Sequence, residues 1–259
     1  MKRSVMALSG GMDSAGLLLR LLSRNIAITC LTFDYGQKHR IEIKKARELI
    51  NYLRKNNFTI SHQIIDLKSA FELYKSALTS EEIVVPEGHY EEEQMKQTVV
   101  PNRNAIFSSI LYGAALSISN YDNCDVSISL GVHSGDHTIY PDCRIEFFDA
   151  IERAFSIGNW QTNRISFNLP YINFNKEKIL QDALNSCTIL GLEFDEVFRR
   201  TNTSYSPDKD GISNGKTGAD IERILAFHSI GRVDPITYVE PWEDVLKHAL
   251  KTAEEFTDS

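Results

Sequence analysis

The stretch SVMALSGGMDSAGLLLRLLSRN, residues 4–25, changes its period twice. SVMAL (4–8) is an apolar run of strand length, SGGMDS (9–14) is a turn with two adjacent glycines, and AGLLLRLLSRN (15–25) has helical spacing. The chain that follows extends the pattern. AITCLTFDY (27–35) reads as a second, buried strand, KHRIEIKKARELINYLRKN (38–56) as a helix, and FTISHQIIDL (58–67) as a third strand. A βαβαβ order predicts a parallel sheet covered by helices on both faces, joined by right-handed crossovers.

From about residue 68 to 99 the pattern loosens into an acidic segment containing EEIVVPEGHYEEE, which predicts an excursion over the surface near the mouth of a site. The alternation then resumes. RNAIFSSILYGAALSIS (103–119), CRIEFFDAIERAFSIG (143–158) and KEKILQDALNSCTILG (176–191) read as helices, the last closed by Gly191; CDVSISLGV (124–132) and NRISFNLPYI (163–172) read as strands. The expected architecture is α/β, a doubly wound and mostly parallel sheet over residues 1–200, with a small helical C-terminal appendage over 201–259.

Composition narrows the function classes. With 259 residues, 42% hydrophobic and 24% charged, the chain can bury one large core, and its net charge of −7 argues against a generally basic nucleic-acid surface. No apolar run approaches bilayer length and the N-terminus does not read as a secretory signal, so a cytoplasmic enzyme with neither membrane nor nucleic-acid partner is expected. Cys30, Cys124, Cys143 and Cys187 lie far apart with no CxxC pair, which gives neither a disulfide framework nor a sequence-local zinc site.

A glycine turn between a strand and a helix aims backbone N–H groups and a helix dipole at an anion. Gly10 and Gly11 permit close approach of phosphate, Ser9 and Ser14 add hydroxyls, and Asp13 is tolerable beside phosphates if Mg²⁺ or backbone donors offset the repulsion. The whole string resembles the SGGxDS pyrophosphate loop of the ATP pyrophosphatase (PP-loop) superfamily, whose adenine nucleotide alpha hydrolase-like members split ATP between the α- and β-phosphates. The GxxxxGK[ST] of a Walker loop is absent.

Three further motifs select a family within that group. FDYGQKHR (33–40), VPNRN (100–104) and GVHSGDHTIYPDCRIEF (131–147) are similar to the FDYGQRH, VPGRN and YPDCR segments of the 7-cyano-7-deazaguanine synthase (QueC) family of queuosine biosynthesis. The resemblance implies an ATP- and Mg²⁺-dependent ligase. It would adenylate 7-carboxy-7-deazaguanine, let ammonia form the amide, and activate that amide again to give the nitrile. It also implies a homodimer or higher assembly.

By that resemblance Arg103, Arg144 and Lys176 supply cations for two anionic reactants, and Lys176 in NFNKEKI matches a family lysine near the phosphates; its other reading is a solvated helix lysine. Phe33, Asp34, Tyr35 and Gln37 lie where the superfamily holds adenine. Asp136, His137, Tyr140 and Asp142 are candidates for reading the deazaguanine edge and covering its face. His39 has two readings, a base assisting ammonia attack and a capping or core histidine. Cys143 reads as packing.

The resemblance breaks in SYSPDKDGISNGKTGAD, residues 204–220. There the family carries a four-cysteine zinc knuckle, and Ser204, Asn214, Thr217 and Asp220 occupy the cysteine positions, so no zinc is expected. Arg223 and Phe227 still fit the family helix that follows. The ATP and base sites are expected elsewhere, leaving this loop to stability, assembly or choice of acceptor. Two alternatives stay open: an antiviral-operon relative that joins the activated base to an amine of a partner protein, and a non-catalytic nucleotide- or deazaguanine-binding module.

Overall fold

A computed structural model of the chain describes residues 2–38, 40–80, 82–88, 93–133 and 139–257. The candidates His39, Asp136 and His137 lie outside the described residues. The first unit is β1 (Arg3–Ala7), α1 (Met12–Ser23), β2 (Ala27–Asp34), α2 (Ile41–Lys55) and β3 (Ile60–Asp66). A short α3 (Lys68–Phe71) and a 3₁₀ turn (Glu93–Thr98) occupy the excursion. Then come α4 (Arg103–Asp122), β4 (Val126–Ser129), α5 (Ile145–Gly158), β5 (Ile165–Asn168), α6 (Lys176–Leu190), α7 (Phe194–Phe198), α8 (Gly218–Ser229) and α9 (Trp242–Thr257).

The five strands form one sheet in the order β3-β2-β1-β4-β5, and every neighbouring pair is parallel. Alternation along each strand sends side chains to opposite faces. Met6, Leu8, Ile28 and Cys30 join one core with α1, α2, α6 and α7, whereas Val5, Leu31, Phe33 and Ile128 join a second with α4 and α5. Strand order reverses at β1, between β2 and β4, so the crevice beyond the carboxyl ends of β1 and β4 is the place where such sheets bind ligands.

Two glycines bring backbone together at this crevice. Gly10 has φ +91, and a Cβ there would fall 2.2 Å from the carbonyl oxygen of Glu42, so the turn after β1 is seated directly on the first turn of α2. A Cβ on Gly131 would lie 3.3 Å from the carbonyl carbon and oxygen of Asp13, which packs the loop after β4 against the same turn.

The described residues of the excursion are tied to the body of the fold. Phe71, Ala77, Leu78, Val85 and Met95 are buried, Ala77 N–H donates to the Gln97 carbonyl at 2.7 Å, and Lys38 N–H donates to the Leu78 carbonyl at 3.0 Å. At the other end, Ala226 and Phe227 of α8 enter the same core as Phe194 and Phe198, while α9 packs Val245 and Ala249 on Ile221 and Ile224 of α8.

Candidate active site

The SGGMDS turn is held by its own hydroxyls. Ser9 Oγ lies 3.0 Å from Ser14 Oγ and accepts from Gly11 N–H at 3.2 Å, and Ser14 Oγ donates to the Gly11 carbonyl at 3.1 Å. Asn202 N–H donates to the Gly10 carbonyl at 2.9 Å, fastening the segment after α7 to the turn. These bonds leave α1 opening into the crevice with Gly11 as its N-cap and Asp13 in its first turn.

Lys176 is the first residue of α6, whose N-cap Asn175 accepts from Lys178 N–H through its side chain. The lysine is buried, with Nζ 2.6 Å from Asp13 Oδ2 and 3.5 Å from Glu222 Oε2 of α8. His133 Nε2, in the loop after β4, stands 4.0 Å from Asp13 Oδ2. Asp13 Oδ1 is buried and has no hydrogen-bond partner among the described residues. A carboxylate with one oxygen neutralised and the other unsatisfied is suited to a cation or a donor carried in by a ligand.

One cavity joins this turn to the ends of β2, β4 and α4. Ser9, Gly11, Asp13, Ser14, Phe33, Tyr35, Gln37, Arg103, Tyr140, Lys176 and Ser204 all line it. Phe33 stacks on Phe107 with ring centroids 4.0 Å apart and planes 8° from parallel. Gln37 is locked across the turn after β2, accepting from Tyr35 N–H at 3.0 Å and donating to the Phe33 carbonyl at 3.2 Å. Burial opposes the charge of Arg103, yet Tyr35, Tyr205, Tyr140 and Asp142 around it more than offset this and hold its pKa above the ordinary guanidinium value. The Arg103 guanidinium carbon lies 6.0 Å from the centre of the Tyr35 ring. Tyr140 shares a hydrogen bond of 2.5 Å with Thr98, and Cys143, on the wall as well, faces the Asn104 amide at 3.4 Å.

Other candidates stand off the cavity wall. Gly10 is a buttress against α2. Asp34 is committed to Arg40 at 2.8 Å and Lys68 at 3.3 Å; burial would raise its pKa, but these cations and the Gly36 N–H hold it below the usual carboxylate value. Arg144 is exposed at the N-cap of α5, and the Asp142 carbonyl accepts from the Asn104 amide at 3.4 Å.

Several wall residues were not singled out by sequence. Asn104 is the last residue of VPNRN, and Phe107 lies one turn of α4 beyond Arg103, where helical spacing from that motif leads. Glu42 sits just beyond FDYGQKHR. Glu222 gave no signal, since a charged helical residue beside others reads as a solvated face. Asn202, Thr203, Ser204 and Tyr205 also line the cavity, so the polar C-terminal segment lies closer to the site than expected.

That segment is organised around one carboxylate. Ser204 Oγ and Thr217 Oγ1 donate to Asp220 Oδ2 at 3.0 and 2.6 Å, Ser213 Oγ donates to Oδ1 at 2.6 Å, and Thr217 N–H adds a bond of 3.2 Å. Thr217 and Asp220 form a capping box at the start of α8. Asn214 takes no part; its amide turns outward to Glu87 at 3.3 Å, and Ser213 fills the third place instead. Burial raises the pKa of Asp220 and these donors pull it back, leaving it above the ordinary value. Three hydroxyls and a single carboxylate do not fit a structural zinc, which needs several soft anionic donors. One turn further along α8, the fully buried Arg223 donates to both Asp234 oxygens at 2.6 and 2.9 Å, and to Thr201 and Thr203 at 2.8 and 3.0 Å. Together the two networks fix the backbone of residues 201–205 along the cavity.

Comparison with known proteins adds the following. The family model described as "Queuosine biosynthesis protein QueC" matches residues 3–231. The chain is 37% identical over 239 residues to 7-cyano-7-deazaguanine synthase 2 of Colwellia psychrerythraea, covering 92% of this chain and 99% of the relative. It is 38% identical over 236 residues to the 7-cyano-7-deazaguanine synthase of Methanoregula boonei, covering 91% and 99%. Among solved structures, an NMN synthetase from Francisella tularensis aligns over 97% of this chain and 85% of that one at a TM-score of 0.42 and 16% identity.

Proposed function

This chain belongs to the QueC family of queuosine biosynthesis proteins, and on that footing we propose that it is an ATP-dependent ligase for a 7-deazaguanine acid. Its substrate is 7-carboxy-7-deazaguanine, which it adenylates and converts to the amide and then to the nitrile. The observation that carries the reading is one cavity in which the SGGMDS turn, the Asp13–Lys176 pair and Arg103 face one another.

The chemistry needs positioning more than a nucleophilic side chain. A carboxylate oxygen is a poor leaving group and AMP a good one, so the acid must first meet the α-phosphate of ATP. Both partners are anions. Lys176 and Arg103 are the cations on the wall, and the N-terminus of α1 adds oriented N–H groups, so charge is offset where the two approach. The unsatisfied Asp13 Oδ1 suits Mg²⁺, which when bound would neutralise part of the triphosphate. Phe33 and Phe107 offer a flat apolar face, while Tyr140 and Asn104 offer hydrogen bonds to a heterocycle edge.

Incubation with ATP, Mg²⁺, the acid and ammonia should yield AMP together with the amide or nitrile in the mass spectrum. Finding none of these products would sink the reading. A second reading, transfer of the activated base to an amine of a partner protein, is favoured by the zinc-less segment reaching the cavity through Ser204 and Tyr205. Its mark is a partner that gains the mass of the amide-linked base; unmodified partners would count against it.

A further inference from the structure

The cavity holds a carboxylate that the scheme above does not use. Glu42 lies in the first turn of α2 and lines the cavity together with Asp13 and Arg103. The seating of its carbonyl against Gly10 fixes this turn of α2 to the phosphate-binding turn, so the side chain is placed by two rigid elements. The charged and titratable groups that act on it are Arg103 of α4 and Tyr35 at the end of β2; Tyr140 acts on that same pair. His39, three residues earlier, lies outside the described residues. Asp13 is paired with Lys176 and Glu222 adjoins the same lysine, whereas Glu42 forms no ion pair among the described residues.

We propose that Glu42 accepts the proton from the amine that attacks the activated carboxylate, an inference that rests on the ligase reading above. In that step the nitrogen of ammonia bonds to the acyl carbon of the mixed anhydride. The carbon–oxygen bond to AMP then breaks, its electron pair leaves with the phosphate, and one N–H proton passes to the Glu42 carboxylate. No other co-reactant is needed. Arg103, on the same cavity wall, acts electrostatically on the carboxylate and favours its ionised form between turnovers. Burial pushes the Glu42 carboxyl up to about 7 against the pull of Arg103, which places it where a base exchanges protons readily at neutral pH.

The test compares two nucleophiles in one enzyme. Hydroxylamine is neutral at pH 7 and sheds its proton after attack far more easily than ammonia does, so it depends less on a base. Amide from ammonia and hydroxamate from hydroxylamine are measured for the unaltered protein, Glu42→Gln and Glu42→Asp, across pH 5.5–8.5. Loss of a general base should lower the ammonia rate of Glu42→Gln by about 10²-fold, with a much smaller fall for hydroxylamine. With rates expressed per free NH3, so that the titration of ammonium itself is removed, it should also abolish the rise in amide formation through pH near 7, which Glu42→Asp should keep in shifted form. An equal fall for both nucleophiles in both variants, with the pH dependence unchanged, overturns the inference and leaves Glu42 a packing residue. If the unaltered protein makes neither AMP nor hydroxamate, the ligase reading itself has failed.

Discussion

Lys176 Nζ stands 2.6 Å from Asp13 Oδ2, so an ion pair joins the first turns of α6 and α1 on the cavity wall. Removing the lysine leaves two carboxylates, Asp13 and Glu222, without their shared cation. Lys176→Met should lower AMP formation by about 10²-fold or more, as loss of a preorganised electrostatic donor does. Asp13→Asn combined with it should cost much less than the two single losses added together. Additive losses would show that the pair does not act as a unit.

Gly10→Ala tests the seating of the turn on α2. A methyl group 2.2 Å from the Glu42 carbonyl oxygen cannot be accommodated, and the positive φ strains any L side chain. The variant should lose AMP formation and shift thermal unfolding downward by several degrees. An alanine variant with unchanged activity and melting temperature would rule out the contact.

Asp220→Ala removes the acceptor of three buried hydroxyls and one N–H. Each orphaned buried donor costs roughly 1–3 kcal/mol, and partial relaxation of the hydroxyls brings the expected loss to about 3 kcal/mol in denaturant unfolding. Asp220→Asn keeps an acceptor and should lose less. Chelators should leave the melting temperature unchanged, because the donor set does not fit zinc; a chelator-induced drop would contradict this.

His62 gives the fold a pH dependence. Its ring lies 2.9 Å from Thr32 Oγ1, which itself donates to the Leu8 carbonyl at 2.7 Å. Burial, then Arg54 and Arg47, lower its pKa from an ordinary 6.5 to about 4. The unfolded chain therefore takes up this proton first. The contribution is fully present above about pH 6.5 and is lost as pH falls toward 4. Unfolding midpoints at pH 7.0 and 5.5 should differ less in His62→Gln than in the unaltered protein, and an equal difference would remove His62 as the cause.

Much of this was legible in the chain itself. The period changes around SGGMDS placed β1 and α1, and strand-length runs placed β2 to β5, because buried parallel strands and amphipathic helices leave distinct apolar spacing. Gly10 was legible as a residue the turn requires, although the structure seats it against α2 rather than on the cavity wall, and Lys176 of NFNKEKI was reached only through the resemblance. Asn214 stands where the resemblance puts a cysteine position, but a side chain's direction depends on the turn around it, and here the backbone presents Ser213 to Asp220 instead.

The amino-acid order by itself determined the parallel α/β sheet, the glycine turn between β1 and α1, and the absence of cysteine from residues 204–220, since each is a matter of local pattern or residue type. The bonds of Asp220 to Ser213 and Thr217 are local to the start of α8, but tertiary structure alone decided that Lys176 meets Asp13, that Glu42 faces the cavity, and that Asp220 holds Ser204 in the wall beside it. Those relationships join segments far apart in the chain through packing at the switch point of the sheet, and no local spacing encodes which side chains meet there.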